Sequence, residues 1–341
     1  MFPSPFEYQR VNSVGEAVAL LAQNPNAKLI AGGHSLLPSM KLRLSAPSLL
    51  IDISRIQDLS GIRSMDDGAT MIGALTTHAA IASSEAVMRD LPVLADAAAV
   101  IGDMQVRNRG TIGGSLSHAD PAADYPAVML ALGAWIRAEG PGGARVISAD
   151  DFFTDLFTTA LKSNEVLVGV KAGPFPAHSA CAYMKHPHPA SGFAVAGVAA
   201  VIWTDGMGTC TKASVAVTGA TAKAQHLRAT EAALAGAKLN EGSIRAAAEM
   251  AKDGLNCLSD HYASADYRAH LTTVLARKAL MKVLFSGRRS LSRSSSQSRR
   301  ALRAARSTPQ APRARARRSS RPPRQRPAVS PALPPRYSPA R

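Results

Sequence analysis

The first half of the chain alternates short apolar runs with helical patterns, which predicts an α+β arrangement. Residues 13–23 predict a helix, because Ser13 and Glu16 have the spacing of a capping box. Apolar runs at 27–33 and 48–54 predict strands, and the first of them ends in a glycine turn. Further along, the patterns predict a strand at 70–77, helices at 78–90 and 91–101, and a helix followed by a strand at 126–138.

From about residue 176 the pattern changes to long, alternating, β-branched runs. The stretches 193–204 and 212–221 predict two strands, and the glycine-containing "DGMGTC" between them predicts a hairpin loop. Helical patterns follow at 227–236, 241–256 and 264–284. This order predicts a β-meander with helices packed on one face, in a domain of its own.

These changes divide the chain into four segments. We predict α+β subdomains at 1–56 and 57–175, a C-terminal domain at 176–286 and a tail at 287–341. The apolar runs are too short and interrupted for a membrane span, and the N-terminus lacks the basic and apolar regions of a secretory signal. With only three scattered cysteines, the chain is expected in a reducing cytoplasm.

The net charge of +16 comes entirely from the tail. From Gly287 onward the chain carries 16 arginines and no lysine or acidic residue, so the 286 residues before it hold 24 basic and 24 acidic side chains. Arg, Ser, Pro and Ala dominate this segment, and they offer too little apolar surface to offset the entropy lost on ordering. We therefore predict that the tail is disordered.

Three interpretations of the tail stay open. An out-of-frame translation of a GC-rich gene gives this composition, and the abrupt change after "ARKALMKVLFSG" agrees with such an origin. A native, solvated tail is the second interpretation. The third is a segment that binds nucleic acid by charge, but the tail lacks the interleaved aromatic residues that stack on bases. Nucleic acid is therefore not the partner that we expect.

Two glycine-rich segments carry candidate binding chemistry, "AGGHS" at 31–35 and "GTIGGS" at 110–115. Glycine lets the backbone approach a ligand and turn its N–H groups toward a phosphate, and Ser or Thr adds a donor. Neither segment has the GK[ST] of a P-loop or the GxGxxG dinucleotide fingerprint. Either segment alone favours a tight turn, but two in one unit, the second followed by the acidic "HADPAAD", favour a binding site.

Four sets of motifs, in a fixed order, carry a resemblance to a known family. They are "LIAGGHSLLPSMKLRL" with "LIDISRI", then "IGALTTHAAI", then "VRNRGTIGGSLSHADPAADYPAVMLAL", and finally "ASGFAVAGVAAVIW". Together they resemble the flavoprotein (medium) subunit of molybdenum-containing hydroxylases, of the carbon monoxide dehydrogenase kind and, more distantly, the xanthine dehydrogenase kind. The resemblance covers about residues 1–285. It implies the PCMH/VAO-type FAD-binding fold, with two α+β subdomains and a C-terminal antiparallel sheet with helices.

The resemblance also implies noncovalent FAD binding. The two glycine segments would clasp the pyrophosphate and ribityl chain, and Asp124 would accept a hydrogen bond from a flavin-side or sugar hydroxyl. Ile101 falls beside the isoalloxazine ring, and Leu167 and Lys185 fall on two further flavin-contact positions. The full implied set is Leu29, Ile30, Ala31, Gly32, Gly33, His34, Ser35, Leu36, Ile101, Thr111, Ile112, Gly113, Gly114, Ser115, Asp124, Leu167 and Lys185.

For function, the resemblance implies an electron-transfer subunit of a larger complex. FAD would take electrons from [2Fe–2S] clusters in a small subunit and pass them to a quinone or NAD. A large subunit would oxidise the substrate at its molybdenum cofactor, and the complex would be a heterohexamer, a dimer of heterotrimers. Such a complex is cytoplasmic or peripheral on the inner face of the membrane. No catalytic residue and no metal site is assigned to this chain, and the substrate stays open.

The alternative is a self-contained FAD-dependent oxidase or dehydrogenase of the same fold. It requires acid and base residues over the flavin, and the sequence offers no convincing pair. A covalent FAD link through His34 is a further alternative, since some flavoproteins of the wider fold attach FAD in a Gly-Gly-His setting. The family resemblance favours noncovalent attachment.

Other polar side chains near these motifs are weaker candidates for a site. His118, Asp120 and Asp124 are metal-ligand types, but their irregular spacing favours ordinary loop residues. Ser35 and Ser115 lack the GxSxG elbow of a nucleophile. Arg107 and Arg109 either steer a phosphate or an acidic partner, or are solvated or salt-bridged as most such pairs are. Tyr183 and the "HPHP" at 186–189 are close to Lys185 and are candidates for the flavin edge. Members of the family commonly carry basic residues after that lysine, so "HPHP" departs from the pattern and leaves the local shape and the electron acceptor open.

Overall fold

The computed structural model describes residues 2–175, 178–205 and 207–306. Three main β-sheets follow one another along the chain, within residues 7–52, 62–172 and 179–226. All of them belong to one compact unit, Met1–Arg293. A second unit, Ser294–Arg341, is helical over its described part.

The first sheet is parallel, with the strand order β1–β3–β2. Its elements are β1 (Glu7–Arg10), α1 (Val14–Gln23), β2 (Ala27–Ile30), α2 (Leu36–Lys41) and β3 (Leu49–Asp52). Ser13 caps α1 by accepting from the Glu16 N–H at 3.2 Å, as predicted. The Glu16 carboxylate, however, accepts from the Asn12 N–H at 2.9 Å, one residue before the expected position. The carboxyl ends of β2 and β3 share one edge, where the first glycine segment begins.

The second sheet has five strands in the order β4–β5–β10–β6–β7, and its neighbouring strands are antiparallel. After a 3₁₀ turn (Gln57–Leu59), its strands and connecting elements are β4 (Ile62–Ser64), β5 (Thr70–Gly73), α3 (His78–Ser83), α4 (Glu85–Asp90), α5 (Pro92–Ala99), α6 (Met104–Arg109), α7 (Ile112–His118), α8 (Tyr125–Leu132), β6 (Trp135–Gly140), β7 (Gly143–Ser148), α9 (Ala149–Phe152), β8 (Phe153–Asp155), β9 (Thr158–Thr159) and β10 (Val166–Ala172). Every residue of α8 is buried, so this helix lies at the centre of the unit.

The third sheet is an antiparallel meander. Its elements are β11 (Ser179–Pro187), β12 (Ala194–Thr204), β13 (Cys210–Thr218), β14 (Gln225–His226), α10 (Arg228–Leu234), α11 (Glu241–Glu249), a 3₁₀ turn (Met250–Lys252) and α12 (Ala265–Arg306). Val198 and Val215 pack in one apolar cluster with these helices, whereas Ala199 and Ala216 pack in another with α5 and α8. Helices therefore cover both faces of this sheet, whereas the sequence predicted helices on one face only. Because both faces are buried, β12 is a nearly unbroken apolar run.

The α+β class and the C-terminal antiparallel sheet with helices are confirmed. Some predicted elements differ in their bounds. The helix predicted at 78–90 is two helices, because Ser84 accepts from the Val87 N–H at 3.3 Å and starts α4. The helix predicted at 241–256 ends as an α-helix at Glu249. Strands β10 and β11 were not predicted as strands.

The tail differs from the prediction in its first part. We expected disorder from residue 287, but α12 continues through Arg306. The physical reason is that residues 288–308 contain neither proline nor glycine and include the helix formers Leu, Ala and Arg. Residues 307–341, to which the rest of the prediction applies, lie outside the described residues.

Candidate functional site

A cleft of about 870 Å³ lies between the first and second α+β segments. Within the described part of the chain, every predicted cofactor-binding residue lines it except Ile112 and Lys185. The volume falls in the roughly 300–1,000 Å³ range of small-molecule and cofactor sites. The fold therefore brings together side chains that the sequence separates by more than 130 positions, from Leu29 to Leu167.

The first glycine segment supplies free backbone donors. It leaves the end of β2 and enters α2 at Leu36. Among the described residues, the N–H groups of residues 32–36 donate to no protein acceptor, and Ser35 makes no side-chain cap. Consecutive free N–H groups that line a cleft form a site for an anionic oxygen. The imidazole Nδ1 of His34 lies 2.9 Å from the carbonyl oxygen of Gly32.

Most of the second glycine segment lies at the start of helix α7. Thr111 caps α7, and its hydroxyl accepts from the Gly114 N–H at 3.1 Å. The N–H groups of Ile112 and Gly113 donate to the carbonyl oxygens of Thr76 and Ala74, at 3.1 and 2.8 Å. These donors are therefore used inside the protein. The role of Gly113 is close packing, because a Cβ there would lie 2.6 Å from the Ala74 Cβ.

The two glycine segments touch each other through the backbone. A Cβ at Gly32 would lie 2.1 Å from the carbonyl oxygen of Arg109 and 3.0 Å from the Cα of Gly110. Real Cβ atoms essentially never approach another heavy atom so closely, so only glycine fits at this point. This contact brings the two glycine segments together beside the free N–H groups.

Asp124 lies at the inner end of the cleft in a buried ionic cluster. Its Oδ1 accepts from the Tyr183 hydroxyl at 2.6 Å, and its Oδ2 accepts from the Lys185 ammonium at 2.8 Å. The side chains of Asp124 and Lys185 are each only 4% exposed. Burial raises the pKa of the Asp124 carboxyl, and the charge of Lys185 opposes this effect.

Two cations hold the segment that carries Ile101. Lys185 also donates to the carbonyl oxygen of Val100 at 3.1 Å. Arg107 donates from Nη1 to the carbonyl oxygens of Ile101 and Gly102, at 2.9 and 3.0 Å. Arg107 thus has a structural partner that the sequence did not reveal, whereas the side chain of Arg109 has no hydrogen-bond or ionic partner among the described residues.

His78 is a residue that the sequence reasoning missed. It begins α3 after the cap Thr77, is buried and lines the cleft. Its Nδ1 lies 3.1 Å from the Tyr125 hydroxyl. Burial, with smaller contributions from the nearby charges of His34 and Arg107, lowers the pKa of His78 to about 4, so the imidazole is neutral at pH 7. A lone histidine at the start of a helix carries no sequence signal that would predict its burial at the cleft.

The remaining candidates have local partners. His118 lines the cleft with its ring 5.3 Å from that of Phe157. Asp120 accepts from the Ala122 N–H at 2.8 Å, and burial raises the pKa of its carboxyl. Across the described residues, no group of three or more His, Cys, Asp or Glu side chains is placed to hold a metal ion.

The "HPHP" stretch faces the C-terminal part of the chain. The His186 ring packs at 6.2 Å from that of Tyr267, and the His188 ring at 4.3 Å from that of Tyr262. Neither histidine lines the cleft in the described residues. Tyr183, which we had considered for the flavin edge, is buried against Asp124.

The fold and the cleft define a binding protein for a phosphate-bearing cofactor. The family model of the FAD binding domain in molybdopterin dehydrogenase matches residues 4–172, and that of the CO dehydrogenase flavoprotein C-terminal domain matches residues 181–283. The chain therefore belongs to the family of FAD-binding medium subunits of molybdenum-containing hydroxylases, which confirms the resemblance seen in the sequence. It is an oxidoreductase subunit.

Individual relatives support this assignment along most of the chain. The carbon monoxide dehydrogenase medium chain of Hydrogenophaga pseudoflava is 41% identical over 282 residues, 82% of this chain and 97% of the relative. The 6-hydroxypseudooxynicotine dehydrogenase complex subunit alpha of Paenarthrobacter nicotinovorans is 38% identical over 289 residues, 84% and 97% of the two chains. A solved carbon monoxide dehydrogenase from Hydrogenophaga pseudoflava, which lacks the Mo-pyranopterin moiety, matches with a TM-score of 0.80 and 42% identity, over 84% of this chain and 99% of that chain.

In the part of the chain that the structure describes, no helix is both long and apolar enough to span a membrane.

Proposed function

We propose that the cleft holds one FAD noncovalently, with its pyrophosphate at the free N–H groups of residues 32–36. The observation that carries this proposal is a row of backbone donors without a partner among the described residues, along a cleft at which Gly32 closely approaches Arg109 and Gly110. Such a row binds an anionic diphosphate without a lysine beside it. Each carboxylate oxygen of Asp124 accepts one protein hydrogen bond. Each oxygen therefore keeps a lone pair that can accept a hydrogen bond from a hydroxyl of the cofactor.

FAD, when bound, supplies the redox chemistry, and this chain supplies its position and surroundings. Within the second glycine segment, Thr111, Gly113, Gly114 and Ser115 line the cleft. Ile101 offers an apolar surface, and Leu167 lies on strand β10. The domains that we propose, 1–56, 57–175 and 176–286, each contain one of the three main sheets. We keep Lys185 as a residue that supports the site through Asp124 and Val100.

At the level of the complex, we propose a carbon monoxide dehydrogenase-like role. Electrons would pass from the [2Fe–2S] clusters of a small subunit through FAD to a quinone or NAD, while a large subunit carries the molybdenum cofactor. We also propose a heterohexamer, in the cytoplasm or peripheral on the inner face of the membrane. The names of the two relatives specify different substrates, carbon monoxide and 6-hydroxypseudooxynicotine, so the substrate class is left to the large subunit.

The isolated full chain is expected to bind FAD and to oxidise no substrate. Titration with FAD, followed by flavin fluorescence, measures the binding. After precipitation with trichloroacetic acid, the yellow colour should stay in the supernatant, and colour in the pellet would indicate a covalent link through His34. Turnover by the isolated chain would instead favour a self-contained oxidase or dehydrogenase. Co-purification with a small subunit that shows two [2Fe–2S] clusters tests the role in the complex.

Arg107→Met is expected to weaken FAD binding about 3- to 10-fold, since two hydrogen bonds that fix the carbonyls of Ile101 and Gly102 are lost. Arg109→Met is the matched control, because the Arg109 side chain is exposed and should leave the affinity unchanged. Fluorescence titration of both variants checks this prediction. Equal losses in the two variants would mean that the arginines act through their charge and not through the Ile101 segment.

A further inference from the structure

In the described part of the chain, one ring nitrogen of His78 has no protein hydrogen-bond partner. The residue is 4% exposed, yet it lines the cleft. Its Nδ1 faces the Tyr125 hydroxyl, whereas its Nε2 has no hydrogen-bond acceptor among the described residues. The Nε2 edge lies beside Gly110, where a Cβ would be 2.6 Å from that nitrogen. Among the described residues, Arg268 Nε is the one fully buried side-chain nitrogen or oxygen without a partner, so His78 Nε2 is open to the cleft, where a ligand can accept its hydrogen bond.

Tyr125 determines which nitrogen of His78 carries the proton. Tyr125 is fully buried, and in the described residues its hydroxyl has no acceptor other than the His78 ring. A buried hydroxyl that lacks another acceptor donates its hydrogen, so Nδ1 of the neutral ring accepts it. The proton of the imidazole is then on Nε2, on the side that lacks a protein partner.

The position of His78 points to the phosphate part of a ligand. Its backbone N–H donates to the Gly110 carbonyl at 3.0 Å, which ties α3 to the second glycine segment. The first glycine segment reaches the same residue, because a Cβ at Gly32 would lie 3.0 Å from the Gly110 Cα. His78 therefore lies beside the place where the two glycine segments meet.

We propose that His78 binds the cofactor directly, donating its Nε2–H as a neutral hydrogen bond to a phosphate oxygen. This inference rests on the proposed function, in which the cleft holds FAD. A neutral donor suits this buried position, because a lysine or a charged imidazole would lose its hydration there. The hydrogen bond also does not depend on pH between 6 and 8, because the ring is uncharged throughout that interval.

The experiment uses the full chain with ¹⁵N-labelled histidine, and ADP and FAD as probes. At pH 7, we expect the His78 signals of the neutral Nε2–H tautomer, with a shift of the Nε2 resonance when ADP or FAD is added. His78→Leu should weaken binding of both probes about 10- to 100-fold, since a hydrogen bond to a charged group is lost. His78→Gln keeps an N–H donor and should recover part of the affinity.

Two further variants separate this contact from a purely structural role. Tyr125→Phe keeps the packing but removes the hydroxyl, so the Nε2–H tautomer should lose its dominance and affinity should fall by a smaller factor. His270→Gln, an exposed position on α12, should change nothing.

The outcomes are distinguishable. If wild type binds FAD but His78→Leu binds it equally well, or if His78 is an Nδ1–H tautomer, this inference is wrong and the proposed function stands. If wild type binds neither FAD nor ADP, both are wrong.

Discussion

Gly32→Ala is expected to abolish measurable FAD binding, a loss of more than about 100-fold in affinity. The added Cβ would lie 2.1 Å from the carbonyl oxygen and 2.8 Å from the carbonyl carbon of Arg109, so two backbone segments must separate. Neither is a flexible side chain that can rotate away. Overpacking of this kind costs about 1–3 kcal/mol of folding free energy. Fluorescence titration with FAD and urea unfolding of the same protein measure the two effects.

Gly15→Ala is the matched control, with the same chemical change in a different environment. Gly15 lies in α1, and a Cβ there would meet no atom within 4 Å. Alanine is favoured over glycine inside a helix by about 0.5–1 kcal/mol, so this variant should be slightly more stable and bind FAD as wild type does. Wild-type affinity in Gly32→Ala would contradict the view that contact between the glycine segments sets the site.

Much of the site could be predicted because its residues cluster in two short motifs. Residues 31–35 and 110–115 stand out by composition, and the fold places both at one cleft. What the motifs could not reveal is how each works. The first offers free N–H groups, whereas in the second Thr111 and nearby carbonyls already accept the N–H groups. Part of this difference comes from acceptors that are distant in sequence, since Ile112 and Gly113 donate to the carbonyl oxygens of Thr76 and Ala74.

The residues that were missed depend on contacts between distant elements. His78, which was missed, is separated by 47 positions from its partner Tyr125. Lys185 was named as a candidate, but its pairing with Asp124, 61 positions away, was not foreseen. No local pattern in a single sequence encodes such pairs. The same limit applies to the fold. Alternating runs predicted β12 and β13, but the coverage of both faces of their sheet by helices follows from packing on α5 and α8.

Lys185→Met is expected to destabilise the unliganded chain by about 3–5 kcal/mol at pH 8, because it leaves the buried carboxylate of Asp124 without its cation. Urea unfolding measures this loss. Asp124 keeps the hydrogen bond from Tyr183, which is neutral and does not replace the lost charge. The Val100 carbonyl loses its donor as well, so the Ile101 segment should also loosen.

The loss in Lys185→Met should depend on pH with a definite sign. Burial already raises the pKa of Asp124, and removing the opposing charge of Lys185 raises it further. The folded variant then binds a proton at a pH where an unfolded aspartate, with a pKa of about 3.9, does not. Since stability falls with rising pH wherever the native state holds more protons, the deficit should be larger at pH 8 than at pH 5.

The double variant isolates the ionic pair from the packing of the two side chains. Asp124→Asn removes the buried charge, so adding it to Lys185→Met should recover part of the lost stability and flatten the pH dependence. The two substitutions would then be non-additive, with a coupling of about 1–3 kcal/mol. Additive losses, or a deficit that is the same at pH 5 and pH 8, would mean that Lys185 stabilises the chain through its carbonyl contact and packing. Its influence on the cleft would then run through Val100 and not through Asp124.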